Sequence, residues 1–147
     1  MGAALTECEL SRDLFRRVAG RDGSTADDRL QAAVAEIKLG DLLGNPNFPN
    51  LGRRSEAALL YESALSALRT EHQVKPAGQQ LRRYLGIALE RIGTLHEGGR
   101  WDAAALAYGE SFAIRQGLAA GAPLPGRHPA RRSGRLRKDR QRAALQR

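Results

Sequence analysis

The sequence predicts an all-α fold, a short helical-repeat stack of about five helices followed by a disordered basic tail. Three observations carry that expectation. Aromatic residues make up only 5% of the 147 positions, and the small side chains are dominated by alanine, which favours helix and lets helices approach closely. Apolar residues recur at helical spacing in five stretches, separated by Gly, Pro and Asn breaks. Two stretches also copy one another: Ala35-Glu36-Ile37-Lys38-Leu39-Gly40 followed by residues 57–69, and Ala88-Leu89-Glu90-Arg91-Ile92-Gly93 followed by residues 104–115. Each unit reads as a helix ending near a glycine, a turn, and a helix centred on a tyrosine with a small residue three positions on. A helix pair that recurs buries its apolar face against its own copies and leaves an extended surface for recognition.

The elements follow in order. Over residues 4–19, Leu5, Leu10, Leu14, Phe15 and Val18 fall largely on one face, with Glu7 and Glu9 early and Arg16 and Arg17 late, as the helix dipole prefers. Gly20-Arg21-Asp22-Gly23 breaks this helix. Ser24 or Thr25, followed by Asp27 and Asp28, then caps a second helix reaching about residue 43, with Leu30, Ala33, Ile37, Gly40 and the Leu42/Leu43 pair on a wide apolar stripe. Residues 44–52, Gly-Asn-Pro-Asn-Phe-Pro-Asn-Leu-Gly, cannot continue the helix, and their asparagines favour side-chain-bonded turns. Phe48 and Leu51 are the residues expected to pin this rigid loop to the helices it joins.

A third helix over residues 53–70 faces inward through Ala57, Leu60, Tyr61, Ala64, Leu65 and Leu68, and a loop containing Pro76 follows. The fourth, over 79–97, presents Leu81, Leu85, Ala88, Leu89, Ile92 and Leu95 and stops at Gly98-Gly99. The fifth, over 101–120, presents Trp101, Ala104, Ala105, Tyr108, Phe112 and Leu118. From about residue 122 the chain turns Pro/Gly-rich and then arginine-rich, which predicts a mobile segment with at most a transient helix over 136–146. The organisation is therefore a capping helix and turn (1–23), a repeat domain of two helix pairs (24–120) and a tail (121–147).

These residues resemble a known family. Leu39-Gly40 with Leu43, then Ala57, Tyr61 and Ala64, looks like a tetratricopeptide repeat, and Ile92-Gly93, Ala104, Tyr108 and Ser111 look like a second. The run from Lys38 through the asparagine-proline loop to Gly52 is similar to variant repeats of bacterial multidomain proteins, among them regions linked to serine/threonine kinase domains. The resemblance covers about residues 26–120. It implies a right-handed stack, with Gly40 and Gly93 admitting the neighbouring helix opposite Ala57, Ala64 and Ala104, and with Tyr61, Tyr108 and Trp101 filling the joints. It also implies a partner-binding inner face at Val34, Ile37, Asp41, Ile87, Glu90, Thr94 and Glu97. That face is acidic and apolar and lacks the Lys and Asn pairs that grip a peptide carboxylate, so a basic or apolar peptide suits it better. The copies are offset by more than the 34 residues of the simple repeat, and two pairs fall short of a self-sufficient stack, so the first helix or a partner is expected to complete it.

Charge and chemistry bound the function. The net charge of +8 resides in the tail, since residues 1–126 hold 15 Lys plus Arg against 15 Asp plus Glu, whereas residues 127–147 hold nine against Asp139 alone. Arg131, Arg132, Arg135, Arg137, Lys138 and Arg140 can neutralise phosphates, which makes nucleic acid an alternative partner, although no aromatic residue there can stack a base. Arginine outnumbers lysine 21 to 3 throughout, so the bias is not confined to the tail.

Catalysis is not expected. His72, His96 and His128 lie far apart, His96-Glu97-Gly98-Gly99 lacks the second histidine of a zinc-protease helix, and no CxxC exists, so neither metal nor cofactor is expected. Gly20 to Thr25 lacks the Gly-Lys-Ser/Thr of a phosphate loop, no Gly-x-Ser-x-Gly elbow is present, Cys8 has no base beside it, and the kinase motifs are missing. The single cysteine, the absence of a secretory pattern and the lack of a long apolar run predict a cytoplasmic protein without membrane contact. Met1-Gly2-Ala3-Ala4-Leu5-Thr6 formally fits a myristoylation pattern, but one acyl chain anchors weakly. The expected function is a non-catalytic protein-interaction module, with an accessory fragment related to a kinase-linked repeat protein and a nucleic-acid-associated protein as alternatives.

Overall fold

Five helices account for the fold: α1 (Gly2–Ala19), α2 (Ala26–Gly44), α3 (Arg54–Val74), α4 (Gln79–His96) and α5 (Trp101–Gly121). The computed structural model describes residues 2–74 and 78–121, and no strand occurs among them. The sequence expectations for the basic tail, including its six candidate phosphate contacts and the helix over 136–146, lie outside the described residues, as does Pro76. Each helix packs on the next in sequence, and α2 also touches α4.

The starts and stops have local causes. Thr25 stands extended before α2 and its hydroxyl accepts from the Asp28 amide at 3.1 Å, while the Asp28 carboxylate accepts from the Thr25 amide at 2.8 Å. This reciprocal capping box satisfies two donors that the first turn leaves open. The α1–α2 turn passes through Gly23 at φ +82°, a conformation that favours glycine. α2 is buried over most of its circumference, as a helix wedged between α1, α3 and α4 must be.

The loop after α2 is closed by its own asparagines. Asn45, fully buried, donates from Nδ2 to Asp41 Oδ1 at 2.6 Å and accepts at Oδ1 from the Asn47 amide at 3.0 Å. Asn50 Nδ2 donates to the carbonyls of Asn45 and Phe48, and Asn50 Oδ1 accepts from the Gly52 amide. The loop then returns over the end of α2, where the Leu51 and Arg53 amides donate to the Leu42 and Leu43 carbonyls. Gly44 permits that return: a Cβ built there would stand 2.7 Å from the Arg54 Cα. Leu51 packs against the core as expected, whereas Phe48 is half exposed.

The core gathers Leu30, Val34, Ile37, Leu39 and Leu43 of α2, Ala57, Tyr61, Ala64, Leu65 and Leu68 of α3, and Leu85, Ala88 and Leu89 of α4. α1 buries no residue completely and reaches this core through Leu5 and Cys8. It is also held by Arg16, whose Nε lies 2.8 Å from the carboxylate of Glu36 in α2. The inward face expected for α5 is observed in part: Ala104, Tyr108 and Leu118 turn inward as expected, and Trp101, Ala105 and Phe112 do not. Ala104, Ala107 and Ser111 are buried and Tyr108 half-buried, whereas Trp101 and Phe112 face solvent. Apolar residues stand on both the covered and the open side of α5, among Asp102, Glu110 and Arg115, so its residue pattern does not single out the buried face.

Candidate interaction surface

One joint is built twice. A Cβ on Gly40 would lie 2.6 Å from Tyr61 Cε1, and a Cβ on Gly93 would lie 2.8 Å from Tyr108 Cε1, so each tyrosine ring rests directly on a bare helix backbone. In the first joint the Tyr61 hydroxyl donates to Asp41 Oδ1 at 2.7 Å. In the second the residue following the glycine is Thr94, whose hydroxyl lies 3.0 Å from the Tyr108 hydroxyl. Tyr108 donates onward to Glu97 at 2.6 Å. Burial, reinforced by the hydrogen bond to Asp41, holds the Tyr61 hydroxyl well above the usual tyrosine range, and burial and Glu97 act in the same direction on Tyr108.

The remaining signature residues line the same helix contacts. Leu39, Ala57, Ala64, Ala104 and Ser111 are buried, and Ile92 is half-buried. Ser111 adds a hydrogen bond absent from the first unit, donating to the Gly86 carbonyl at 2.8 Å where Ala64 stands at the matching position.

Asp41 is the centre of a polar network. Arg91 of α4 donates through Nε to Asp41 Oδ1 at 2.8 Å and through a terminal nitrogen to Oδ2 at 3.3 Å. Its guanidinium stacks over the Phe48 ring at 5.3 Å from the centroid, a favourable cation–π contact. Asp41 thus ties together α2, α3, α4 and the asparagine-proline loop. Nothing in the sequence announces the Asp41–Arg91 pair, which spans 50 positions, although the run of asparagines does announce a side-chain-bonded turn.

The seven residues expected on the inner face therefore divide. Val34 and Ile37 belong to the core and Thr94 is buried at the second joint, leaving all three without surface for a partner. The physical reason is that α1, α3 and α4 cover α2 from three sides, and that Tyr108 of α5 lies against Thr94 of α4. Asp41 is half-buried and fully engaged with Tyr61, Asn45 and Arg91. Ile87 and Glu90 are half-exposed and Glu97 exposed, all at or near α4. Glu90 pairs with Arg115 of α5, and Glu97 accepts from Tyr108. Asp41 and Glu90 are neutralised by arginines while Glu97 keeps its charge, so the face is less acidic than the bare sequence implies.

A second feature lies between α1, α2 and α3. An open cleft there is floored by Ala32, Ala33 and Ala67, and ion pairs of Arg16 with Glu36 and of Arg29 with Glu71 stand at its rim. All four charges are matched. Among the described residues no group of three His, Cys, Asp or Glu side chains could hold a metal ion, and no helix is long and apolar enough to cross a membrane. Neither a family model, nor a curated protein, nor a solved structure matches this chain.

Proposed function

We propose that α2 to α5 form a short tetratricopeptide-like stack with α1 as its cap, and that the protein is a non-catalytic module that binds another protein. The observation that carries this reading is the twice-built joint, in which Gly40 admits Tyr61 and Gly93 admits Tyr108 at the same helix-pair position. A joint repeated in sequence and in geometry supports an architecture that holds an extended recognition surface. The binding face is the partly exposed edge where α4 and its C-cap meet α5, carried by Ile87, Glu90 and Glu97. Its ligand is an apolar peptide with basic residues, which inserts beside Ile87 and competes with Arg115 for Glu90.

The test is capture of a discrete partner by the wild-type chain and by the triple variant Ile87→Arg, Glu90→Lys, Glu97→Lys. Asp41 is left intact because its replacement would disturb the fold. The variant is expected to keep its helix content by circular dichroism and to lose capture. Undiminished capture by the folded variant would sink the α4 face.

A further inference from the structure

Among the described residues, α5 is covered on one side only. It packs on α4 and reaches α3 through the Arg69–Glu110 ion pair at 2.6 Å. At 3.6 residues per turn, the opposite arc runs from Trp101 and Phe112 through Ala105, Gly109 and Ala113 to Leu106 and Gly117. Its polar members are Gln116 and, in the first turn, Asp102. Trp101, Phe112 and Leu106 are 68%, 63% and 76% exposed. These three leave roughly 400 Å² of apolar surface in water, linked along the arc by the alanines and glycines between them. Large apolar side chains on the open side of a helix whose charges, Glu110 and Arg115, are drawn to its neighbours call for a cover.

The chemistry of the arc selects its occupant. Residues 122–147 of the same chain hold nine cations and, as large apolar residues, only Leu124, Leu136 and Leu145, a poor match for an uncharged face. A second α5 matches it well. Ala105, Gly109, Ala113 and Gly117 recur at every fourth position, and this order is its own complement on reversal. In an antiparallel pairing centred on residue 111, Ala105 meets Gly117 and Gly109 meets Ala113, so every contact sets one methyl against a bare α-carbon. The backbones can then approach closely and the helix dipoles oppose, while Glu110, beside the midpoint at the edge of the arc, is neutralised by Arg69. Two such faces, alanines and glycines included, hold on the order of 1,200 Å², the lower end of what specific interfaces bury.

We propose that the free face of α5 is a self-association surface on which a second copy of this chain docks antiparallel through the same helix. The surface is separate from the α4 face assigned to the partner, and either assignment can fail alone. The pairing is two-fold symmetric and reversible.

Sedimentation equilibrium of the full chain, from about 1 to about 200 µM, tests it over the range where a micromolar complex assembles. The weight-average mass is expected to rise from 16.0 kDa towards twice that value. Phe112→Glu and Leu106→Glu, both at exposed positions, should hold the mass at one chain with unchanged helix content. Leu59→Glu, an exposed leucine on α3, should leave association intact. Gly109→Ala, whose Cβ meets nothing within 4 Å in the single chain, should fold normally yet weaken association several-fold. A single-chain mass at every concentration would overturn the proposal and leave the face to a different protein. Association that survives both glutamates would overturn it by placing the contact elsewhere.

Discussion

Gly40 and Tyr61 share one space: the tyrosine ring, itself fully buried, lies within 2.6 Å of where any Cβ on Gly40 would stand. The apposition joins α2 to α3 and sets the Tyr61 hydroxyl on Asp41. Gly40→Ala must push the ring off this seat, and overpacking of that kind costs about 1–3 kcal/mol, more than the helix propensity gained. Gly86→Ala should have the opposite sign, because its nearest contact, Ser111 Oγ at 3.6 Å, is ordinary van der Waals distance. Urea denaturation of the two variants against wild type checks both signs.

The Asp41 network should be strongly asymmetric to deletion. Tyr61→Phe removes one of four donors to Asp41 and is expected to cost about 1 kcal/mol. Asp41→Ala strands Tyr61, Asn45 and Arg91 together and should cost about 2–4 kcal/mol, with the asparagine-proline loop loosened first. Hydrogen exchange at the Asn47, Leu51 and Arg53 amides reads that loosening directly.

Alkaline unfolding should depend on Tyr61. Its folded-state pKa is raised, chiefly by burial, so the unfolded chain releases this proton at a lower pH than the folded one. The associated stability is complete below the ordinary tyrosine value of about 10 and is lost as pH climbs above it. Tyr61→Phe should flatten the decline in stability above that pH. An equal decline in the variant would assign alkaline unfolding to other groups.

At the other end of the pH scale, Asp28 behaves oppositely. Its pKa is lowered by the hydrogen bond from the Thr25 amide and then by the Thr25 hydroxyl. Its contribution is present above the ordinary aspartate range and is lost as pH falls through the lowered value. Thr25→Ala should shrink this acid-side loss, as seen in melting temperatures taken over a pH series.

Docking of α1 should rest on Arg16. Glu36 is 4% exposed, and Arg16 is the partner that neutralises it. Arg16→Ala leaves a buried carboxylate unpaired, at a cost of about 1–3 kcal/mol once the exposure of the arginine is considered. α1, with no fully buried residue of its own, should show the largest gain in hydrogen exchange.

The sequence conveys the helices better than it conveys their faces. Thr25 and Asp28, Pro46 and Pro49, and Gly98-Gly99 mark where helices start and stop through local chemistry that needs no tertiary knowledge. α3 runs on to Val74, four residues beyond the expected Thr70, because nothing in Glu71-His72-Gln73 breaks a helix. Leu65 and Leu68 were legible as core because polar residues flank them on α3. Trp101 and Phe112 were not legible as exposed, because α5 offers alanines and glycines on every side and leaves the choice of face to packing. Val34 shows the same limit on α2, whose burial depends on α1 and α4 arriving from distant sequence, whereas the apolar stripe had already marked Ile37 for the core. The Asp41–Arg91 pair lies beyond any local signal.

The most direct test of the interaction reading is capture from the source cell's lysate with the full chain and with a version ending at Gly126, each at low and high salt. The account predicts one discrete protein held by both versions and retained at high salt. Nucleic acid held only by the full chain and released by salt would contradict it, and would transfer the activity to the basic residues beyond Gly126.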